Sequence, residues 1–381
     1  MIYKDFAGLK LSELGLGTMR LPVVDGQYSH IDRQELKKMV KYAMDNGVNY
    51  FDTAYGYHDG DSESAIGEAL RDYPRESYYL ADKFPGYDLS YMDKVEEVFE
   101  EQLRRTGAGY FDFYMFHNVY EKNVDPYLDE IYGIFEYLMK QKENGRIKHL
   151  GFSAHGRLDV IEKLLDAYGE HMEFCQLQIN YVDWEFQQAR EKLELLKSKN
   201  IPVWVMEPVR GGMLASLSKE NESMLKKLRP EESVCSWAFR FLQGLSGVGV
   251  ILSGMSNMEQ LKENIDIFKE NKPLTQKENE AVFAIAKNML SAQTLPCTAC
   301  RYCTAHCPME LDIPLLLSLY NEYIFTGGGY LAPMAVDAMD EDKRPSACIG
   351  CKSCEAVCPQ SLKISEAMED FTNKLGASPE I

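Results

Sequence analysis

No stretch of this chain is apolar for long enough to cross a membrane, and its first residues, MIYKDFAGLKLSELGLG, scatter charges where a secretory leader needs an unbroken apolar run. A cytoplasmic protein with no membrane partner is therefore expected. Basic residues are short as well: 41 Lys and Arg stand against 59 Asp and Glu, a formal net charge of −18. Phosphate contacts need basic surface, so this balance argues against a nucleic-acid or anionic-membrane binder. Cysteine is almost missing from most of the chain, since of ten only Cys175 and Cys235 precede residue 297. Both stand in apolar segments and read as ordinary buried thiols. Nothing in a composition of 45% hydrophobic and 26% charged residues suggests disorder.

What the chain does have is a regular alternation between residues 14 and 254. Eight β-prone runs occur: LGLGTM (14–19), VNYFDTA (48–54), YYLADKF (78–84), FDFYMFH (111–117), KHLGFSA (148–154), FCQLQINY (174–181), PVWVMEP (202–208) and VGVILSG (248–254). Several are apolar almost throughout, as strands buried on both faces should be. Helical periodicity fills the gaps, over residues 32–46, 63–72, 91–106, 126–144, 157–168, 185–199, 231–243 and 258–269. Alternating pairs of this kind predict an α/β fold, a closed parallel (β/α)8 or TIM barrel. An open doubly wound sheet is the rival, but no Gly-rich dinucleotide fingerprint follows the first strand. The first eleven residues are expected to form a hairpin closing the barrel bottom.

The pattern changes after residue 270. Pro273 breaks the chain, residues 276–291 read as a helix, and cysteines then crowd in. This predicts two domains: a barrel over residues 1–272 and a mainly helical second domain over 273–381. A 16-residue helix spans roughly 24 Å, enough to return the chain from the barrel base, so the second domain is expected over the mouth.

Cys297, Cys300, Cys303 and Cys307, followed by Pro308, have the spacing C-x2-C-x2-C-x3-C-P; Cys348, Cys351, Cys354 and Cys358, followed by Pro359, repeat it. Three thiolates at this spacing can wrap one face of a cubane, and the fourth, beyond a turn set by proline, points to the other cluster. The expected ligand sets are thus Cys297, Cys300, Cys303 and Cys358 for one [4Fe–4S] cluster, and Cys348, Cys351, Cys354 and Cys307 for a second. Zinc also binds paired C-x2-C, but two identical four-cysteine runs disfavour it. The segment resembles bacterial-type two-cluster ferredoxins, with residues 308–347 longer than a minimal ferredoxin needs and expected to hold inserted helices.

In the barrel, Asp52 and Tyr57 stand at or just beyond the C-terminal end of the second predicted strand, Lys83 at that of the third and His117 at that of the fourth. Strand ends of this kind converge on one mouth, where barrel active sites lie. An ammonium beside a phenol favours the phenolate, and a carboxylate holds the ammonium; a phenol so placed can act as a general acid. The string FDTAYGYHDGDSE, with ADKFP and YMFHN after it, resembles the aldo-keto reductase family over residues 1 to about 270. By that resemblance Asp52, Tyr57, Lys83 and His117 are the catalytic tetrad: hydride passes between nicotinamide and a substrate carbonyl carbon, Tyr57 protonates the alkoxide, Lys83 and Asp52 tune Tyr57, and His117 orients the carbonyl.

The resemblance also implies an NAD(P)(H) site. GFSAH corresponds to the segment whose Ser and Asn hold the carboxamide, which gives Ser153 but puts Ala154 where Asn is usual. Gln178 matches a carboxamide-binding glutamine, Met206 stands where the resemblance implies a nicotinamide-packing residue, and Glu207, Pro208, Val209, Arg210 and Gly211 correspond to a phosphate-side loop running to Gly212. Residues 253–264 correspond to the adenosine stretch at Gly254, Ser256, Gln260, Glu263 and Asn264. Gly17, Thr18, Met19 and Asp52 complete the expected contacts. No basic residue for a 2′-phosphate precedes Lys262 in the adenosine stretch, and Arg210 is the other candidate, so NADH and NADPH both stay open.

The resulting expectation is an oxidoreductase acting on a small-molecule carbonyl or alcohol, its clusters passing electrons to a redox partner protein or within the chain. The alternatives are a non-catalytic nicotinamide and redox sensor that signals to a partner, and a reductase whose clusters are only structural staples. Nicotinamide moves an electron pair whereas each cluster moves one electron, and the sequence holds no convincing flavin motif to join them.

Overall fold

The computed structural model describes residues 1–291 and 293–377. They divide into two units, Met1–Phe283 and Ala284–Ile381, with the division inside the helix Gln276–Ser291. That helix opens on a capping box: Glu278 Oε2 accepts the N–H of Thr275 at 2.7 Å, and Thr275 Oγ1 accepts that of Glu278 at 3.4 Å. Its first turn is tied to the barrel unit by Arg229, whose Nε and Nη2 meet Glu278 at 2.5 and 2.7 Å.

In the first unit, eight parallel strands close into a barrel: Leu14–Gly17, Tyr50–Asp52, Tyr79–Phe84, Phe111–Val119, Ile147–Ala154, Cys175–Gln178, Val203–Met206 and Val248–Gly254. The register between last and first strands pairs Gly254 with Gly17, and the next pairs Gly17 with Asp52. All eight anticipated strands are present. The antiparallel hairpin of Tyr3–Phe6 with Leu9–Ser12 is there too, and it plugs the base: Phe6 packs its ring on Phe113, His149 and Trp204.

Side chains alternate along a strand with period two. Tyr50, Ala81, Phe113, Met115, Trp204, Val250 and Leu252 share one buried cluster with Leu11 from the hairpin. Continuing the same parity toward the strand ends reaches Asp52, Lys83 and His117. The barrel is thus apolar below, while the inward row ends in ionisable groups at the mouth.

Several helices differ from the periodicity-based expectation. The segment expected as one helix over 126–144 is two, Val124–Leu128 and Ile134–Glu143, because Gly133 takes a left-handed conformation at φ 58° between them. Residues 185–199 likewise split into Asp183–Phe186 and Ala189–Ser198 around Gln188 at φ 54°. A helix over Lys219–Lys226 was not anticipated; Ser218 caps it by accepting the N–H of Asn221 at 3.3 Å. Among the described residues no helix is long and apolar enough to cross a membrane.

The second unit is helical. Ile313–Thr326 and Leu331–Asp337 fill the interval between the cysteine runs, as expected of inserted helices, and Ile364–Ala377 follows the second run. Gly327, at φ 69°, ends the first of these helices. Leu311, Ile313, Leu316, Leu317, Leu362, Ile364 and Met368 form the core, with Cys303 and Cys354 buried among them.

Candidate active site and cysteine centre

Lys83 is the centre of the barrel mouth. Its ammonium lies 2.7 Å from Asp52 Oδ1 and donates to the Thr53 carbonyl at 2.6 Å, with the side chain wholly buried. Burial pushes the Asp52 carboxyl up from its ordinary range, and the Lys83 charge opposes that rise. Asp52 Oδ2 is sealed from solvent without a hydrogen-bond partner. The same ammonium stands 5.0 Å from the centroid of the Tyr57 ring, within cation–π range.

His117 meets Tyr57 edge to face, with ring centroids 6.0 Å apart. Burial, then the Lys83 charge, then His155 hold His117 well below the usual histidine range, so the imidazole is neutral at pH 7. The carbonyl of His117 accepts from Tyr127 Oη at 2.9 Å. The Tyr127 hydroxyl reaches it across Gly86, where a Cβ would come within 2.4 Å of the tyrosine. Tyr87 closes the other side, its ring edge-on to His117 at 5.0 Å. All four anticipated residues thus gather at one place.

His58, next to Tyr57, went unrecognised in the sequence. It is 1% exposed; its Nε2 accepts the Leu21 N–H at 3.1 Å, and its Nδ1 lies 2.5 Å from the Tyr28 carbonyl. A carbonyl only accepts, so Nδ1 carries the proton and the ring is a neutral tautomer clamping the segment Leu21–Ile31 to the Tyr57 loop.

The expected cofactor residues are placed unevenly. Gly17 and Gly254 pair at the mouth, and Met19, Ser256 and Gln260 are exposed there, whereas Thr18 is buried and bonded to Ser62 Oγ at 2.6 Å. Ser153 Oγ accepts the Asn118 N–H at 2.7 Å. Gln178 and Met206 are register partners at adjoining strand ends. In the loop that follows, Pro208 is buried, Glu207 and Val209 are half-buried and Gly211 is exposed. Arg210 is turned inside, 5% exposed, with Nε 3.0 Å from Asp183 Oδ1, so its charge is already met within the protein. Asn264 is also buried, donating to Ser253 Oγ at 3.0 Å, while Glu263 beside it is half-buried. Arg20, which the sequence did not single out, bridges the two loops: its carbonyl accepts from Ser256 Oγ at 3.0 Å, and its Nη2 lies 3.9 Å from Glu207 Oε1.

In the second unit, Cys297, Cys300, Cys303 and Cys358 line one recess together with Arg301, Leu317 and Pro359. Three of these thiols come from the first run and one from the second, which is the crossed grouping anticipated from the spacing. Cys307 and Cys348 pack against the same core as Cys354, and Cys351 is exposed. Among the described residues no three of His, Cys, Asp or Glu are grouped so as to hold a metal ion. Of the two isolated thiols, Cys175 is fully buried and Cys235 half-buried, and burial pushes both up, Cys235 to about 12.

Comparison with known proteins agrees with this division. Residues 13–287 match the aldo/keto reductase family, and residues 296–364 match the 4Fe-4S dicluster domain. The chain is 26% identical over 304 residues to the uncharacterized oxidoreductase YqkF of Bacillus subtilis, covering 72% of this chain and 92% of that one. It is 27% identical over 300 residues to the NADH-specific methylglyoxal reductase of Escherichia coli, covering 68% and 90%. Among solved structures, the holo form of an aldo-keto reductase from Bacillus halodurans superposes with a TM-score of 0.61 at 24% identity, over 75% of this chain and 96% of that one. An aldo-keto reductase from Klebsiella pneumoniae in complex with NADPH gives 0.60 at 20% identity, over 75% and 96%. The chain belongs to the aldo/keto reductase family and is an oxidoreductase whose barrel is followed by a 4Fe-4S dicluster domain.

Proposed function

We propose that the barrel interconverts a small carbonyl compound and its alcohol with NAD(P)(H), and that the second domain carries two [4Fe–4S] clusters that exchange electrons with a redox partner protein. When bound, the nicotinamide gives or takes a hydride at the carbonyl carbon, and each cluster carries one electron. The observation that carries the reading is the Lys83 ammonium, buried between Asp52 and the Thr53 carbonyl and 5.0 Å from the Tyr57 ring.

From there the roles follow. Tyr57 donates its phenolic proton to the substrate oxygen as negative charge develops on it, and the adjacent ammonium stabilises the phenolate left behind. Asp52 pairs with the Lys83 ammonium at 2.7 Å and holds it in place beside Tyr57. His117, held neutral, supplies a hydrogen-bonding ring without adding a second positive charge, and so orients the carbonyl. Ser153 and Gln178 would hold the carboxamide, Met206 would pack on the nicotinamide ring, and Gly17, Gly254, Ser256 and Gln260 offer open backbone and polar groups for the rest of the dinucleotide. With Arg210 turned inward, Arg20 is the cation placed between the two loops.

The donor chemistry of the second domain fits the same reading. Cys297, Cys300, Cys303 and Cys358 would hold one cluster around the recess they line, and Cys348, Cys351, Cys354 and Cys307 the other. The relatives named above include an NADH-specific reductase and a protein in complex with NADPH, which supports a nicotinamide without choosing between the two forms. The test is steady-state oxidation of NADH and NADPH by the purified protein over a panel of small aldehydes and ketones. Turnover with any of them supports the reading, and none across the panel in cluster-loaded protein contradicts it.

A further inference from the structure

Asp183 begins the short helix Asp183–Phe186 and is wholly buried. Its Oδ2 accepts from Gln178 Nε2 at 2.8 Å and from Asn180 Nδ2 at 2.6 Å, while Arg210 Nε lies 3.0 and 3.1 Å from its two oxygens. Asn180 Nδ2 also donates to the Glu207 carbonyl at 3.1 Å. One carboxylate therefore joins the end of the sixth barrel strand to the loop after the seventh. That loop needs holding, because Glu207 and Arg210 have φ of 55° and 48°, a left-handed conformation that is costly for residues other than glycine.

The chemistry at Gln178 has a direction. A carboxylate only accepts, so the primary amide of Gln178 must turn its NH2 toward Asp183, which leaves Oε1 facing the other way as an acceptor. Were residue 183 an amide, either end of Gln178 would find a partner there and both flips would be populated.

We propose that Asp183 is a positioning residue for the nicotinamide site: it fixes Gln178 in the one orientation that accepts a hydrogen bond from the NH2 of the cofactor's carboxamide. The inference rests on the reading of Gln178 as a carboxamide contact. It predicts that the wild-type protein recognises the carboxamide NH2 itself, so that the 3-acetylpyridine dinucleotide, which carries a methyl ketone in place of the amide, binds on the order of tenfold more weakly than the natural cofactor, the cost of one unmade buried hydrogen bond.

The experiment measures dissociation constants of NAD(P)+ and its 3-acetylpyridine analogue for the full-length wild type, Gln178→Ala, Asp183→Asn and the double variant, with circular dichroism to check folding. In Asp183→Asn, discrimination between the two dinucleotides should fall to within about twofold, and the same substitution should change that ratio no further in the Gln178→Ala background. If Gln178→Ala binds both dinucleotides like the wild type, the reading of Gln178 as a carboxamide contact fails. If Gln178→Ala is weakened but Asp183→Asn keeps the wild-type discrimination, that reading stands and the role of Asp183 is overturned. Should Asp183→Asn not fold, Asp183→Glu, which keeps an acceptor-only side chain, and the wild type decide: equal affinity of the wild type for the two dinucleotides overturns the proposal, and wild-type discrimination that Asp183→Glu retains supports it.

Discussion

Lys83 Nζ and Asp52 Oδ1 are 2.7 Å apart, with 0% and 4% of the two side chains exposed. Such a pair is costly to break by halves: removing one partner leaves a buried charge uncompensated, whereas removing both leaves none. Lys83→Met should therefore lower unfolding stability by about 3–5 kcal/mol, and adding Asp52→Asn should restore most of it while carbonyl turnover stays lost. Denaturant unfolding followed by circular dichroism, with turnover measured on the same samples, checks both parts. A double variant as unstable as the single would show that uncompensated charge is not what the substitution exposes.

His58 makes a second prediction that concerns the mouth's outer wall. His58→Phe keeps an aromatic ring against Tyr28, which now stacks at 4.3 Å, but leaves the buried Leu21 N–H without its acceptor, a cost of about 1–3 kcal/mol. Hydrogen exchange read by mass spectrometry should rise on the order of tenfold or more across Leu21–Ile31. Protection unchanged in that segment would mean the clamp is elsewhere.

The cluster domain offers a third. If ligands are shared between the cysteine runs, Cys307→Ala should damage the centre held mainly by Cys348, Cys351 and Cys354 and spare the one around Cys297, Cys300, Cys303 and Cys358. Electron paramagnetic resonance of the reduced protein, with iron and sulfide analysis, reads the result. Loss confined to the centre of the first run is the opposite outcome.

Acid stability is the fourth. The Arg229 guanidinium beside Glu278 lowers its carboxyl from 4.5 to about 2. A depressed acid contributes stability that is complete above its unfolded value and is lost as pH falls through the folded one. Glu278→Gln should thus cost about 2 kcal/mol at pH 7, with the difference from wild type shrinking between pH 4.5 and 2. A constant difference across that window would show that the carboxylate charge is not responsible.

The barrel was legible because strands buried on both faces are apolar runs separated by helical periodicity, a signal that survives errors at the helix ends. The gathering of Asp52, Lys83 and His117 at the mouth was legible for a related reason: residues 52, 83 and 117 continue the inward parity of Tyr50, Ala81 and Phe113 to the strand ends. The cysteine grouping was written into the spacing of each run. Asp183 and His58 were not legible, since an acid or histidine in a turn looks the same in sequence whether it faces water or a buried amide. Nor was the placement of Arg210 legible, its guanidinium being turned toward Asp183 through backbone geometry at Glu207 and Arg210 that no periodicity reports. The helix breaks at Gly133 and Gln188 escaped because the apolar period resumes in phase beyond them.

On the proposed mechanism Tyr57 gives the proton in a nicotinamide-dependent carbonyl reduction at the barrel mouth. The most direct measurement is single-turnover reduction of an accepted aldehyde by the Tyr57→Phe variant, with nicotinamide affinity measured on the same protein. Removing the phenol while keeping the ring should slow the chemical step by on the order of 10² to 10⁴ and leave the dissociation constant of the nicotinamide nearly unchanged. A variant that reduces the aldehyde at the wild-type rate would contradict the account.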